Sequence, residues 1–232
     1  MKIPESPPVP RITLRYIGEQ ILSQVNLEKG LGYTFKQLLL APGAAIREYL
    51  FEDRSRMMRP LPLVLLLTAI ATFLSFKFLP LEQSFTQSLN PSLQATGLPE
   101  DMIPLIELLR KLGKQYFNII LMSSIPGMAL ASYIMFKDKR LNYAEHLIIN
   151  MYLFNVQTLL LIFALPLLVK FIFLSFVVLI ATFIYFTYAF QQIFQIQWQE
   201  SVWKAVLFII LSQLVQNIVV SMVAVIIWIF FL

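Results

Sequence analysis

Residues 61–79 read LPLVLLLTAIATFLSFKFL, nineteen consecutive positions with a single charge, Lys77, close to the end. A helix of about 20 apolar residues crosses the ~30 Å hydrocarbon core of a bilayer, and a helix apolar on every side has no use at a soluble surface. Four further stretches repeat the pattern, at 117–136, 147–165, 171–190 and 205–231, and none of them holds a charged residue. Lipid cannot satisfy backbone N–H and C=O groups, so each stretch is predicted to be a helix. The fold class that follows is an all-α, polytopic integral membrane protein with five transmembrane helices behind short N-terminal cytoplasmic helices. Only a few residues around Pro166 and Lys170 join the third and fourth spans, which are predicted to form a tight antiparallel pair.

Composition agrees with this reading. Hydrophobic residues make up 58% of the 232 and charged ones 13%, against about 45–50% and about 25% in soluble domains. Cysteine is absent, which excludes disulfides, thiolate metal sites and cysteine nucleophiles together. Half of the eighteen basic residues behind the net charge of +5 are gathered ahead of the first apolar run. That placement fits membrane-side charge and speaks against a nucleic-acid partner. The opening MKIPESPPVPRITLRYIGEQ has four prolines in its first ten residues and no apolar core, so neither a secretory signal nor a transit peptide is expected there.

Charge asymmetry sets an orientation. Residues 1–60, the loop after the second span and the loop after the fourth hold thirteen Lys and Arg, with Lys204 in the last of these; the other side holds five. By the positive-inside rule the N-terminus is expected in the cytoplasm and the C-terminus outside. The chain divides into a cytoplasmic segment, 1–60, with amphipathic interfacial helices, and a membrane domain, 61–232, with an external loop at 80–116. Within that loop Glu100-Asp101, followed by Ile103, Leu105, Ile106, Leu108, Leu109 and Leu112, reads as a short helix in the outer interface, a packed connector or a lid. Tyr116, Phe117, Tyr133, Tyr152, Trp198, Trp203 and Trp228 fall near span ends and read as interfacial aromatics, with Tyr152 a little deep.

The approach to the first span, GLGYTFKQLLLAPGAAIREYLFEDRSRMMRP at 30–60, contains two short helical patterns separated by Ala41-Pro42-Gly43. Proline costs little in the first turn of a helix, so this tripeptide is the predicted joint. Arg54, Arg56 and Arg59 stand directly before the span. They read either as topological anchors or as contacts for lipid headgroups, with Arg47 and Arg54 the candidates to pair with Glu145 or to bind a lipid phosphate, which suits the planar guanidinium. Tyr49 belongs to the same candidate interaction surface.

The residues from Lys29 onward resemble an uncharacterised bacterial membrane family, catalogued as domain of unknown function 3667. Its pattern of a Thr-x-x-x-Leu run, Pro-Gly-x-x-Ile-Arg-x-Tyr-Leu and a basic stretch ending in proline is matched here, and Asn142-Tyr143-Ala144-Glu145-His146 matches its second signature. Two departures stand out. The cysteine zinc ribbon that opens many members is missing, so the resemblance implies no zinc, and Glu52-Asp53 replaces the usual Gly-Lys. Five spans behind a proline-containing cytoplasmic segment also resemble the Yip family, whose eukaryotic members interact with small GTPases. That likeness is one of architecture alone.

Glu145-His146 carries the only histidine. Adjacent helical residues point about 100° apart, so the two are expected to reach different neighbours, as a polar collar where the third span enters the membrane. His146 shares a face with Asn150 and then Gln157, while Ser212-Gln216 and Gln213-Asn217-Ser221 repeat i+4 steps on the fifth span. Amides in a bilayer need partners, and the simplest expectation joins the third and fifth spans through these side chains. Ser123, Ser124 and Pro126 complete the candidate intramembrane seam: proline at 126 removes the hydrogen bond to Met122 and kinks the second span.

No catalytic, cofactor or metal set is expected. There is no phosphate-binding glycine loop, no His-Glu-x-x-His, no second histidine, and no Asp or Glu inside any span, where proton-coupled pumps commonly carry one. The first reading of function is a non-enzymatic scaffold or assembly protein. Its expected partners are membrane lipids with anionic headgroups and a membrane protein or a second copy. A carrier of a lipid or small molecule through the seam of spans two, three and five is the second reading. An enzyme acting on lipid headgroups near His146, with Ser55 the nearest serine, is the third.

Overall fold

The computed structural model describes residues 13–14, 30–78, 108, 111–113, 115–168, 171 and 173–231. Residues 1–12, most of the expected external loop with its short helix, and Lys170 lie outside the described residues. Among the described residues the regular structure is helical, with no strand: α1 (Leu31–Leu40), α2 (Pro42–Phe51), α3 (Pro60–Phe78), α4 (Phe117–Met122), α5 (Ser124–Met135), a 3₁₀ turn (Lys137–Lys139), α6 (Tyr143–Leu168), α7 (Leu174–Phe194) and α8 (Trp198–Phe231). Five helical stretches are long and apolar enough to cross a membrane, the second being α4 and α5 together. The chain is a multi-pass membrane protein.

Local chemistry explains the boundaries. Ala41 leaves helical geometry with φ −146°, and Pro42 opens α2 at its first position, where the missing N–H is one the helix could not have used. The second span breaks at Ser123, between α4 and α5. Pro126 has no N–H for Met122, and the hydroxyls of Ser123 and Ser124 donate to the carbonyls of Ile120 and Leu121 at 2.7 and 2.8 Å, as hydroxyls do where a span loses its ladder. α6 starts at Tyr143, ahead of the expected 147, and runs through Pro166. The carboxylate of Glu145 accepts from the backbone N–H of Asn142 at 2.7 Å, while the Asn142 side chain accepts from the N–H of Glu145 at 2.9 Å. This reciprocal capping box fixes the helix start.

α8 starts at Trp198 and runs 34 residues, roughly 51 Å at 1.5 Å per residue. Lys204, expected in a loop, therefore lies inside a helix, and it is buried. Its ammonium pairs with Glu200 at 2.7 Å and sits 4.4 Å over the ring of Phe136.

The bundle is arranged around α6, which packs on α3, α5 and α7, while α8 packs on α5 and α7. The N-terminal helices join the same body. α2 lies against α7, and α1 against α2 and α6. Leu38, Ile46 and Tyr49 from these helices share one core with Ile148, Tyr152, Phe190 and Phe208 of the spans. The faces that carry Leu38, Ile46 and Tyr49 are thus covered by spanning helices, while Leu39, Leu40 and Phe51 stay exposed.

Candidate functional site

Four hydrogen bonds outside the helical ladders fasten the N-terminal cap, α1 to Arg59, onto the bundle, and a fifth braces the cap itself. Tyr152 donates to the carbonyl of Met58 at 2.9 Å, Tyr185 to that of Leu38 at 3.2 Å and Tyr188 to that of Leu40 at 3.0 Å. Thr34 accepts from the N–H of Met58 at 2.8 Å, within the cap itself, and the Gln192 side chain accepts from the N–H of Gly43 at 3.0 Å. α2 comes so close to α7 that a Cβ on Gly43 would overlap the Cβ and backbone of Gln192. Tyr152 is therefore a core residue, fully buried and edge-on to Tyr49 at 5.3 Å, not an interfacial aromatic. Trp198 and Trp203 are exposed.

The arginines before the first span divide by role. Arg54 donates to the carbonyls of Tyr49 and Leu50, each at 3.2 Å, closing the end of α2. Arg56 pairs with Glu48 at 3.2 Å on the surface. Hydrogen bonds from Ser55, with the charge of Arg56 adding to them, hold the Asp53 carboxyl below its ordinary range. Arg47 faces Gln195, whose amide oxygen, when turned toward it, accepts from the guanidinium.

Above this surface lies an open notch of about 740 Å³, bounded by Arg47 and Glu48 on α2, by Glu52 just past its end, and by Gln191, Gln192 and Gln195 at the end of α7. A smaller cleft of about 190 Å³ adjoins it, where Arg47 and Lys139 face an apolar wall that includes Phe51 and Phe194. Both charges and neutral amides line the notch, so it can meet donors and acceptors of either sign.

Glu145 and His146, expected as a polar collar at the entry of the third span, are buried, at 1% and 0%. α6 begins earlier than its hydropathy suggests, so the pair sits in its first turn, under the cap. They do reach different neighbours. Glu145 takes part in the capping box, whereas the His146 ring lies between Tyr133 and Phe194, each 5.7 Å away, and its Nδ1 is 2.9 Å from the hydroxyl of Ser132 on α5. Asn150 donates to the same hydroxyl at 2.7 Å and to the carbonyl of His146 at 2.7 Å.

The expected seam between the third and fifth spans takes a different route. α6 and α8 have little contact with one another; both pack on α5. Asn150 of the third span reaches Ser132 of the second, and Gln216 of the fifth reaches Ser123 of the second at 3.1 Å. Ser123 thus joins the polar network, while Ser124 and Pro126 shape the break. Gln157 is half-buried, and Gln213 and Asn217 are exposed. Ser132, which holds this arrangement together, and Asn155, which donates to the carbonyl of Pro60 at 3.4 Å, carry no signal of their own in the sequence. A small hydroxyl on a span facing an amide on the next is legible only once the spans are docked. Among the described residues no group of His, Asp and Glu is placed to hold a metal.

Residues 28–72 match the model of a family described as Protein of unknown function (DUF3667). The match covers the cap and most of the first span; the Asn142–His146 signature lies beyond it. No curated protein and no solved structure showed a match to the chain.

Proposed function

We propose that this chain is a non-enzymatic scaffold or assembly protein of the bacterial inner membrane, with its N-terminus in the cytoplasm and its C-terminus outside. The observation that carries this reading is the notch at Arg47, Glu48 and Gln191. It is built on helices that belong to the bundle core, so a partner would meet a preorganised surface and not a floppy tail. Anionic headgroups at the same face fit the cleft where Arg47 and Lys139 meet. The Yip-like order, five spans behind a proline-containing segment, suits a membrane-organising role. A photo-crosslinking residue at Glu48 or Gln191, followed by mass spectrometry from native membranes, tests the reading. One stoichiometric protein adduct is the expected result; adducts with lipid alone would contradict it.

A carrier is the second reading, favoured by one specific observation. His146 Nε2, Asn150 Oδ1, Asn155 Oδ1 and Gln216 Oε1 are buried without a protein partner, and the break at Ser123 lies beside one of them. Buried polar atoms of this kind mark either hydration or a path. If Asn150→Leu and Gln216→Leu left the fold intact and abolished a measured flux, the carrier reading would replace the first. Headgroup chemistry at His146 has least support, since its ring is wholly buried.

A further inference from the structure

We infer that the outer face of α8 is a self-association surface, on which the fifth span of a second copy of this chain docks through Gln213, Asn217 and Ser221. α8 is the least covered span: 17% of its apolar window is buried, against 33–50% in the other four. Apolar exposure alone would mean only contact with lipid. The polar residues are what lipid cannot explain. Gln213, Asn217 and Ser221 recur every fourth residue, all three are exposed, and Asn217 sits near the middle of the apolar run 205–231. Their side chains make no hydrogen bond among the described residues, whereas the neighbouring Gln216 turns inward to Ser123.

An amide in hydrocarbon without a partner is costly, and spans commonly meet this cost by hydrogen bonding to another helix. A second copy fits because a primary amide is both donor and acceptor. Across a two-fold axis, Asn217 of one copy and Asn217 of the other satisfy each other, and Gln213 does the same one turn away. The surrounding surface suits helix packing. Leu214, Ile218, Ser221 and Val225 alternate steps of four and three, the spacing that seats side chains of one helix between those of another. Leu214, Ile218 and Val225 are 53%, 58% and 53% exposed. Two copies inserted in the same orientation bring equal residue numbers together along such a seam.

The cysteine-free sequence makes the test direct. Single substitutions Leu214→Cys, Ile218→Cys and Ser221→Cys, with Phe176→Cys on α7 and Phe163→Cys on α6 as exposed controls, are oxidised in native membranes. The proposal predicts disulfide-linked dimers at the three α8 positions and none at the controls. No dimers, equal dimers at every position, or adducts with a different protein would overturn it. Reconstituted into liposomes of plain phosphatidylcholine, the Gln213→Leu/Asn217→Leu variant should raise the dimer dissociation constant about fivefold or more. Asn217→Gln should retain dimerisation. Wild-type association of the Leu variant would equally overturn the proposal; should that variant fail to fold, the disulfide pattern decides alone.

Discussion

Tyr152, in the middle of the bundle, donates its hydroxyl at 2.9 Å to the carbonyl of Met58, ninety-four residues earlier and outside any helix. This one bond ties the irregular end of the cap to the central span. Replacing Tyr152 with Phe would leave a buried carbonyl unpaired while keeping the ring against Tyr49. A loss of about 1–3 kcal/mol is expected, measurable by equilibrium unfolding in mixed micelles. A change within about 0.5 kcal/mol would mean that the cap contributes little to the stability of the spans.

Gly43 and Gly32 give opposite expectations for the same substitution. A methyl at Gly43 collides with Gln192, whereas nothing stands within 4 Å of one at Gly32. Gly43→Ala should destabilise the fold by about 1–3 kcal/mol through forced separation of α2 from α7. Gly32→Ala, inside α1, should be neutral or stabilising by up to about 1 kcal/mol from helix propensity. Thermal unfolding of both variants side by side checks the contact.

His146, Asn150 and Ser132 act as one network, so their substitutions should not add. Ser132→Ala and Asn150→Val are each expected to destabilise, and the double variant should cost less than the sum by about 0.5–3 kcal/mol. Strict additivity in a double-mutant cycle would show that the Ser132 hydroxyl does not link the two spans.

Glu145 is buried at 1%, and a buried carboxylate needs a cation as well as a helix cap. The sequence offers Arg47 and Arg54 on the cap. If Arg54 supplies that charge, Arg54→Met alone should destabilise strongly, and Arg54→Met/Glu145→Gln should recover much of the loss. The glutamine preserves the capping box with Asn142. Absence of any recovery would leave Glu145 with the cap alone.

Much of this architecture was legible because lipid imposes length and composition on a span. The apolar runs mark all five spans, and Pro126 marks the break in the second. The errors are physical in origin. Hydropathy misses the first turns of α6 and α8, because Glu145, His146 and Lys204 are polar yet lie where cap and bundle cover them. Tyr152 resembles an interfacial residue because its hydroxyl seeks a polar partner, but that partner is Met58 and not water. Their place inside apolar spans showed that Asn150 and Gln216 need hydrogen bonds. It could not show that α5 stands between their helices, since that depends on the order in which spans dock. The amides of Gln191, Gln192 and Gln195 are visible in the sequence as a polar helix end, but the notch they form with α2 is not, because its two walls are far apart in the chain.

The central claim is that residues 30–59 form a rigid platform on the spans, and hydrogen exchange at the Met58 amide tests it most directly. That N–H lies outside every helix, and among the described residues its partner is the Thr34 hydroxyl. In nanodiscs the platform predicts exchange at Met58 as slow as in the ends of the spanning helices. Exchange at the rate of an unstructured peptide would mean that the two short helices ride loosely on the membrane surface, and the preorganised notch would be lost with them.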